Sequence, residues 1–214
     1  MYGIHNPTIK EKILIFCAEI LYLIIAYYLL FIAYEKSAIS IGLFIALIII
    51  TVRLTAMMFI WLPRGIGWQE AIMNCAAFGI YYLGFPILMI IGNQEPILML
   101  LIIGWVLFLV GSMVNTISEL LRKPFKDNPA NKGKLYTSGL FKYAIHINYL
   151  GDCLWVLGLA LISNNIYSLL IPLGLFLVFV FGYIPKSDDY LQNKYEDQFT
   201  AYKMKTKKLI PFIW

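Results

Sequence analysis

The chain has 214 residues, of which 61% are hydrophobic and 14% are charged, and its formal net charge is +5. A soluble domain carries charges on about a quarter of its residues, so this composition excludes an ordinary soluble globular protein and favours one that lies in lipid. A length near 200 residues fits a single domain, and we predict one integral-membrane domain over residues 1–214. The first apolar run lacks the small-residue cleavage pattern of a signal peptide, so it is predicted to be a membrane helix.

Six apolar runs are predicted to cross the membrane, because about 20 apolar residues span its hydrocarbon core. Backbone polar groups must pair within each segment in lipid, so every run is predicted to be a helix. The fifth run is the weakest, since the sequence before it is mixed in polarity. The predicted fold class is all-α, a polytopic membrane helix bundle. Its predicted spans are Ile13–Ala33, Ala38–Leu62, Ala71–Ile91, Ile97–Val114, Tyr149–Ile162 and Ile166–Ile184.

The connections between these spans alternate in basic charge. Lysines and arginines concentrate at the N-terminus, in the second and fourth loops and in the C-terminal tail. Basic loops stay in the cytoplasm, so both termini are predicted to be cytoplasmic, as an even number of spans requires. The short loops and the bias toward Lys, Ile and Asn favour a bacterial inner membrane.

The tail after the sixth span has the periodicity of a helix. Leu191, Tyr195, Phe199 and Tyr202 form one apolar face, so we predict a single amphipathic helix in the cytoplasm. The apolar segment Leu209–Trp214 is predicted to return to the membrane. A simple interfacial anchor is the alternative interpretation of this tail.

Polar side chains inside the first two spans mark candidate sites, because Arg or Asp at a helix centre costs about 2.5–3.5 kcal/mol. Arg53 lies in the second span, and Arg64 follows about three turns later, which predicts one shared helix face that could bind an anion. Snorkelling or pairing with an acid is the alternative for Arg53. Glu19 lies in the first span, where it could hold and donate a proton or simply bond a neighbouring helix.

A polar face is predicted where the fourth span ends. Asn115, Glu119 and Arg122 are spaced to share this face, and Lys123-Pro124 is predicted to end the helix. The alternative interpretation of Glu119 and Arg122 is an intrahelical ion pair.

A second polar pair is predicted at the mouth of the fifth span. Asn148 and Asp152 are four residues apart, so the amide and the carboxylate share one helix face and resemble a ligand-binding pair. A helix cap with interhelical hydrogen bonds is the alternative.

No metal site and no soluble nucleotide-binding motif are predicted. Cys17, Cys75 and Cys153 form no CxxC motif, and we interpret them as small apolar residues. His5 and His146 are far apart in the sequence. The chain has no P-loop, so any cofactor must bind by a scheme specific to membrane proteins.

The residues from about Asn115 to Trp214 resemble the steroid 5-alpha-reductase family and DUF1295-like membrane reductases. This superfamily also includes the isoprenylcysteine and phospholipid methyltransferases. Each matching piece is short, and their order and spacing make the resemblance specific. The pieces are Arg122-Lys123-Pro124, Gly139-Leu140-Phe141 with Tyr143, Asn148-Tyr149-Leu150-Gly151-Asp152 and Leu209-Ile210-Pro211-Phe212-Ile213.

The resemblance implies an NADPH-dependent reductase of a C=C bond in a lipophilic, steroid-like or isoprenoid-like enone taken from the bilayer. It implies that residues 1–114 hold the substrate and residues 115–214 bind the cofactor, with Glu19 as the acid that polarises the carbonyl. Arginine and lysine suit the cofactor's phosphates. The implied cofactor contacts are Arg53, Arg64, Asn115, Arg122, Lys134, Asn148, Asp152 and Tyr195. The expected partners are this substrate and membrane lipids, with no nucleic acid.

The chain departs from the family at one catalytic position. Ile50 stands where the family has a tyrosine one turn before the first arginine. Tyr22, Tyr27 or Tyr28 are candidates to replace it.

Two other functions stay open. An S-adenosylmethionine-dependent methyltransferase acting on a lipid or a prenyl-cysteine is one, since His146-Ile147-Asn148-Tyr149 resembles that branch's His-Pro-x-Tyr pattern with Ile147 in place of proline. Asp188-Asp189 could replace its paired glutamates. A non-enzymatic membrane or transport protein is the other, and it predicts polar groups along a continuous path across the bilayer.

Overall fold

The computed structural model describes residues 8–34, 37–61, 64–92 and 95–214. In these ranges the chain forms helices and turns and no strand, apart from one isolated backbone bridge between Ala144 and Lys207. The prediction of an all-α protein is confirmed.

The described helices follow the predicted spans closely. Three π-helical turns extend or join them, at Met57–Trp61, Ile80–Gly84 and Phe179–Tyr183, and Ile166–Leu169 is a 3-10 turn. In chain order the α-helices are α1 (Ile9–Phe31), α2 (Ala38–Ala56), α3 (Trp68–Gly79), α4 (Phe85–Gly92), α5 (Leu98–Asp127), α6 (Ile147–Ile162), α7 (Leu170–Val178), α8 (Ile184–Tyr195) and α9 (Asp197–Lys205).

The protein is an integral membrane protein. Among the described residues, five helical segments are long and apolar enough to cross a membrane, and the shorter apolar helix α6 coincides with the predicted fifth span. A helix of about 20 residues is needed to cross the hydrocarbon core. The five segments are Ile9–Phe31, Ala38–Trp61, Trp68–Gly92, Leu98–Asp127 and Ile166–Tyr195.

The prediction that Lys123-Pro124 ends the fourth span is wrong, because α5 continues to Asp127. Proline has no backbone N–H to donate to the carbonyl four residues earlier, and α5 nevertheless continues for three residues beyond Pro124. Lys123 forms an ion pair with Asp127 across this turn. The side-chain amide of Asn131 donates to the carbonyl of Phe125 at 3.1 Å and caps the helix end.

The prediction of one continuous tail helix is also wrong. The chain breaks between α8 and α9 at Glu196, whose φ is +45°. Positive φ is unfavourable for a residue with a Cβ atom. At Glu196 this backbone conformation occurs together with the burial of the aromatic residues on either side of it. Tyr195, Phe199 and Tyr202 pack with Ile145 in one buried cluster.

The last helix is fastened by its aromatic residues. The Tyr202 hydroxyl donates a hydrogen bond to the carbonyl oxygen of Phe141. Burial raises the pKa of the Tyr202 phenol, so this donor keeps its proton at all ordinary pH values.

The chain divides into two compact units. The first comprises Met1–Val106 and Val156–Ile171, and the second comprises Leu107–Trp155 and Pro172–Trp214. The candidate site residues are distributed over both units. Glu19, Arg53 and Arg64 belong to the first unit, and Asn115, Arg122, Lys134, Asn148, Asp152 and Tyr195 belong to the second.

Candidate active site

Glu19 is the most deeply buried charged residue of the first unit, with 0% of its surface exposed. The Thr55 hydroxyl donates to Oε2 of Glu19 at 3.5 Å, whereas Oε1 has no hydrogen-bond partner among the described residues. Arg53, which is 8% exposed, lies close enough to interact electrostatically with this carboxyl. A buried polar atom without a partner is costly and calls for a functional explanation.

Tyr82 forms one buried polar set with Glu19, Thr51 and Arg53. It was not predicted from the sequence. Its side chain is fully buried, and its hydroxyl lies 2.7 Å from Oγ1 of Thr51. Thr51 gives its own proton to the carbonyl of Leu47 at 3.0 Å, so Tyr82 is the donor in the bond to Thr51. Tyr82 also interacts electrostatically with Glu19 and Arg53. Tyr81 and Tyr82 are both buried, and the apolar run around them does not indicate in the sequence which of the two bonds to Thr51.

The tyrosines proposed from the sequence have different environments. Tyr27 and Tyr28 are about half exposed, at 49% and 54%, on the surface of α1. The ring of Tyr22 lies 6.5 Å from the ring of Tyr82, measured between centroids. Ile50 is fully buried and apolar, so it supplies no hydroxyl.

The predicted shared helix face of Arg53 and Arg64 is wrong. The helical segment is described only to Trp61, and Arg64 lies in a non-helical stretch before α3. The Arg64 side chain is 57% exposed and forms an ion pair with Glu70, on the first turn of α3. Arg53 is buried and Arg64 is exposed, so the two do not form one anion site by helix geometry. Their cofactor contacts stay predictions.

In the second unit, small residues bring α5 and α6 into close contact. A Cβ atom added to Gly151 would lie 2.5 Å from the backbone nitrogen of Asn115. One added to Gly111 would lie 2.3 Å from the backbone nitrogen of Trp155. Small residues permit such close approach between membrane helices, and here the approach places Asn115 beside the start of α6.

Four of the predicted polar residues then form one continuous network. The Asn115 amide donates to the backbone carbonyl of Asn148 at 3.2 Å, and the Asn148 amide donates to Oε1 of Glu119 at 3.1 Å. Oε2 of Glu119 forms an ion pair with Arg122, whose guanidinium lies 5.3 Å from the ring centroid of Phe141. Glu119 therefore joins Asn148 to Arg122.

Asp152 has a different neighbour from Asn148. Its Oδ1 accepts a hydrogen bond from the indole nitrogen of Trp155 at 2.9 Å. The predicted pair thus shares a helix, but Asn148 binds toward α5 and Asp152 binds along α6.

The two remaining predicted cofactor residues lie further along the second unit. Lys134 is exposed in the loop after α5. Tyr195 is buried at the end of α8, and its hydroxyl accepts a hydrogen bond from Nζ of Lys126 at 2.8 Å. Lys126 was not among the residues predicted from the sequence.

The buried His146 and the half-buried Asp188 form a pair near the start of α6. Nε2 of His146 lies 2.8 Å from Oδ1 of Asp188, and Nζ of Lys208 lies 3.2 Å from the other oxygen. The His146 ring stacks on Tyr149, with centroids 5.4 Å apart. The backbone nitrogen of His146 also donates to the carbonyl of Lys208 at 2.9 Å, so this pair fastens the C-terminal segment to α6.

Within the described ranges, no group of three or more His, Cys, Asp or Glu side chains is placed to hold a metal ion. The three cysteines are free, with Cys17 exposed and Cys75 and Cys153 half-buried. His5 lies outside the described residues.

Comparison with known proteins identifies the family. The family model described as "Protein of unknown function (DUF1295)" matches residues 1–206. The chain belongs to the DUF1295 family. The family match confirms the resemblance drawn from residues 115–214 and extends the similarity across the first half of the chain.

One relative carries the name of an enzyme. The protein "Probable O-methyltransferase ustE" of Ustilaginoidea virens is 41% identical to this chain over 92 residues. The match covers 42% of this chain and 32% of the relative, so this chain matches about a third of the relative's length.

Proposed function

We propose that this DUF1295 protein is a membrane-embedded, NADPH-dependent reductase of a C=C bond in a lipophilic enone. The observation that carries the proposal is Glu19, a fully buried carboxyl group with one oxygen that has no hydrogen-bond partner among the described residues. An acid held in apolar surroundings is suited to donate a proton or a hydrogen bond to a substrate carbonyl. Bound NADPH would supply the hydride.

The residues around Glu19 support its role as an acid. Thr55 binds Oε2, which leaves Oε1 to face the substrate oxygen. When the C=C bond is reduced, negative charge develops on the oxygen of the conjugated carbonyl, and a preorganised donor stabilises that charge. The positive charge of Arg53 and the hydroxyl of Tyr82 act in the same buried set. Tyr82 thus supplies the phenol that Ile50 does not, and it would turn its proton from Oγ1 of Thr51 to the substrate oxygen when the substrate binds.

The second unit carries the donor chemistry that NADPH requires. Arginine and lysine bind phosphates through charge and charge-assisted hydrogen bonds, and amides bind the remaining polar groups. The residues proposed to hold the cofactor there are Asn115, Arg122, Lys134, Asn148, Asp152 and Tyr195. The cofactor contacts that the family resemblance implies for Arg53 and Arg64, which belong to the first unit, stay predictions.

The proposal includes an orientation. The basic residues of the second and fourth loops and of the tail support an orientation with both termini in the cytoplasm, by the positive-inside rule. NADPH would therefore enter from the cytoplasm, and the substrate would enter from the bilayer, with a bacterial inner membrane as the proposed location.

A second candidate is an S-adenosylmethionine-dependent methyltransferase of a lipid or prenyl-cysteine. The printed name of the Ustilaginoidea virens relative favours it, as does the pairing of His146 with Asp188 at 2.8 Å. Methyl transfer involves no enone carbonyl for an acid to polarise, so Glu19 would lose its proposed role and thereby separates the two candidates.

The experiment that tests the reductase is NADPH oxidation by the purified protein with a panel of isoprenoid and steroid enones. Wild-type protein is expected to oxidise NADPH only when an enone is present. Glu19→Gln is expected to lose this enone-dependent oxidation while it still binds NADPH. Methyl transfer from S-adenosylmethionine to a lipid, without any enone-dependent oxidation, would replace the reductase with the second candidate.

A further inference from the structure

The basic residues in the last turns of α5 differ in how their charges are balanced. Arg122 forms an ion pair with Glu119, and Lys123 forms one with Asp127. Lys126 instead donates to the hydroxyl of Tyr195, and among the described residues no carboxylate lies within ion-pair distance of it. Of these three basic residues, Lys126 is therefore the one whose positive charge is available to bind an anionic ligand.

A second lysine flanks the same tyrosine. Nζ of Lys126 lies 5.0 Å and Nζ of Lys194 lies 5.6 Å from the ring centroid of Tyr195. Lys194 donates to the hydroxyl of Tyr190 at 2.8 Å, and the described residues place no carboxylate within ion-pair distance of it either. Two lysines, each bonded to a phenol hydroxyl, thus flank the ring of Tyr195.

Tyr195 is held firmly and its neighbours are open to solvent. Its ring is 7% exposed and packs against Ile145 and Phe199, whereas Lys126 and Lys194 are exposed. A lysine ammonium has three donors, so Lys126 keeps two after its bond to Tyr195. Because that bond uses a lone pair of the phenol oxygen, the Tyr195 proton stays available to a second acceptor.

We propose that Lys126, Lys194 and the Tyr195 hydroxyl bind the phosphate monoester that distinguishes NADPH from NADH. This inference rests on the proposed reductase function. A dianionic phosphate is costly to remove from water, so it belongs at an exposed position such as Lys126, one turn beyond the half-buried Arg122. Compact ammonium groups are established phosphate ligands.

The test compares the affinities for NADPH and NADH of purified protein in an uncharged detergent. Lys126→Gln is the variant, and Lys123→Gln is the matched control, because Lys123 already has a carboxylate partner. Lys126→Gln is expected to weaken NADPH binding by about 10- to 100-fold, the range for losing a hydrogen bond to a charged group. NADH affinity should stay within about two-fold in both variants, and Lys126→Arg should restore NADPH binding.

The outcomes separate this inference from the function on which it rests. If wild-type protein binds neither nucleotide, the reductase proposal fails and this inference fails with it. If wild-type protein prefers NADPH and Lys126→Gln keeps that preference, the reductase stands and the assignment of Lys126 is overturned. A lipid phosphate offers the same chemistry, so stabilisation by phosphatidylglycerol is measured in parallel. If Lys126→Gln is no longer stabilised by phosphatidylglycerol, and the ratio of its affinities for NADPH and NADH is that of wild-type protein, the assignment is overturned in favour of a lipid site.

Discussion

Asn148 donates its side-chain amide to Oε1 of Glu119 at 3.1 Å and so links the start of α6 to the polar face of α5. The same carboxylate forms an ion pair with Arg122 through its other oxygen. Glu119 is 9% exposed, so both of its oxygens depend on these two partners. Asn148 therefore helps to position Arg122, because both bind the carboxylate of Glu119. This role is separate from any contact that Asn148 makes with a ligand.

The first prediction concerns this link. Asn148→Ala is expected to weaken NADPH binding by about ten-fold and to lower stability by about 1–3 kcal/mol, because Oε1 of Glu119 loses its donor. Arg122→Ala is also expected to weaken NADPH binding. Affinity is measured by titration and stability by thermal unfolding, with the exposed Asn193→Ala as control. Unchanged NADPH affinity in both Asn148→Ala and Arg122→Ala would remove these residues from the cofactor site.

The second prediction concerns the buried acid. Glu19→Gln keeps the shape of the side chain but removes the acid, so turnover of the enone is expected to fall by about 10²–10⁴-fold. Binding of NADPH should be retained. Glu11→Gln, on the same helix but only half-buried, is the matched control. A Glu19→Gln protein with full activity would exclude Glu19 from the mechanism.

The third prediction concerns the phenol in the same set. Tyr82→Phe removes the hydroxyl bonded to Thr51 and keeps the buried ring. Turnover is expected to fall by about 10²-fold, the low end of the range for losing one donor to a developing oxyanion, and the free energy of unfolding is expected to fall by about 0.5–1.5 kcal/mol for the lost hydrogen bond. Tyr27→Phe, on the exposed side of α1, should have wild-type turnover. Equal activity of the two variants would show that Tyr82 is only a packing residue.

The fourth prediction concerns the contact between α5 and α6. Gly151→Ala places a methyl group 2.5 Å from the backbone nitrogen of Asn115, so the helices must separate, at a cost of about 1–3 kcal/mol. Gly174→Ala in α7 meets nothing within 4 Å and is expected to be neutral or stabilising by about 0.5–1 kcal/mol. Thermal unfolding in detergent compares the two. A Gly151→Ala protein as stable as Gly174→Ala would contradict the close helix approach.

The sequence alone was sufficient to predict the membrane spans, because hydropathy and length reflect the lipid environment directly. The positions where helices end or break were harder to predict. Pro124 lies in the last turn of α5 and does not end the helix. The tail helix is broken at Glu196, where the aromatic residues on either side are buried. Both outcomes depend on tertiary packing, which local sequence signals do not contain.

The candidate site shows the same limit. The contact of Asn115 with Asn148 could be expected from a polar face at the end of one span and the start of another. Tyr82 and Lys126 could not, because a tyrosine in an apolar run and a lysine in a basic loop look like their neighbours in the sequence. Only the three-dimensional arrangement shows that Tyr82 joins the set around Glu19 and that Lys126 has no carboxylate partner among the described residues.

The measurement that tests the central claim most directly is thermal unfolding of the purified protein, titrated separately with NADPH, NADH and S-adenosylmethionine. A ligand at 100 times its dissociation constant stabilises a protein by about 2.7 kcal/mol. Stabilisation by NADPH, stronger than by NADH and absent with S-adenosylmethionine, is the predicted result. Stabilisation by S-adenosylmethionine alone would contradict the reductase and assign the protein to the methyltransferases, and no response to any of the three would favour a non-enzymatic membrane protein.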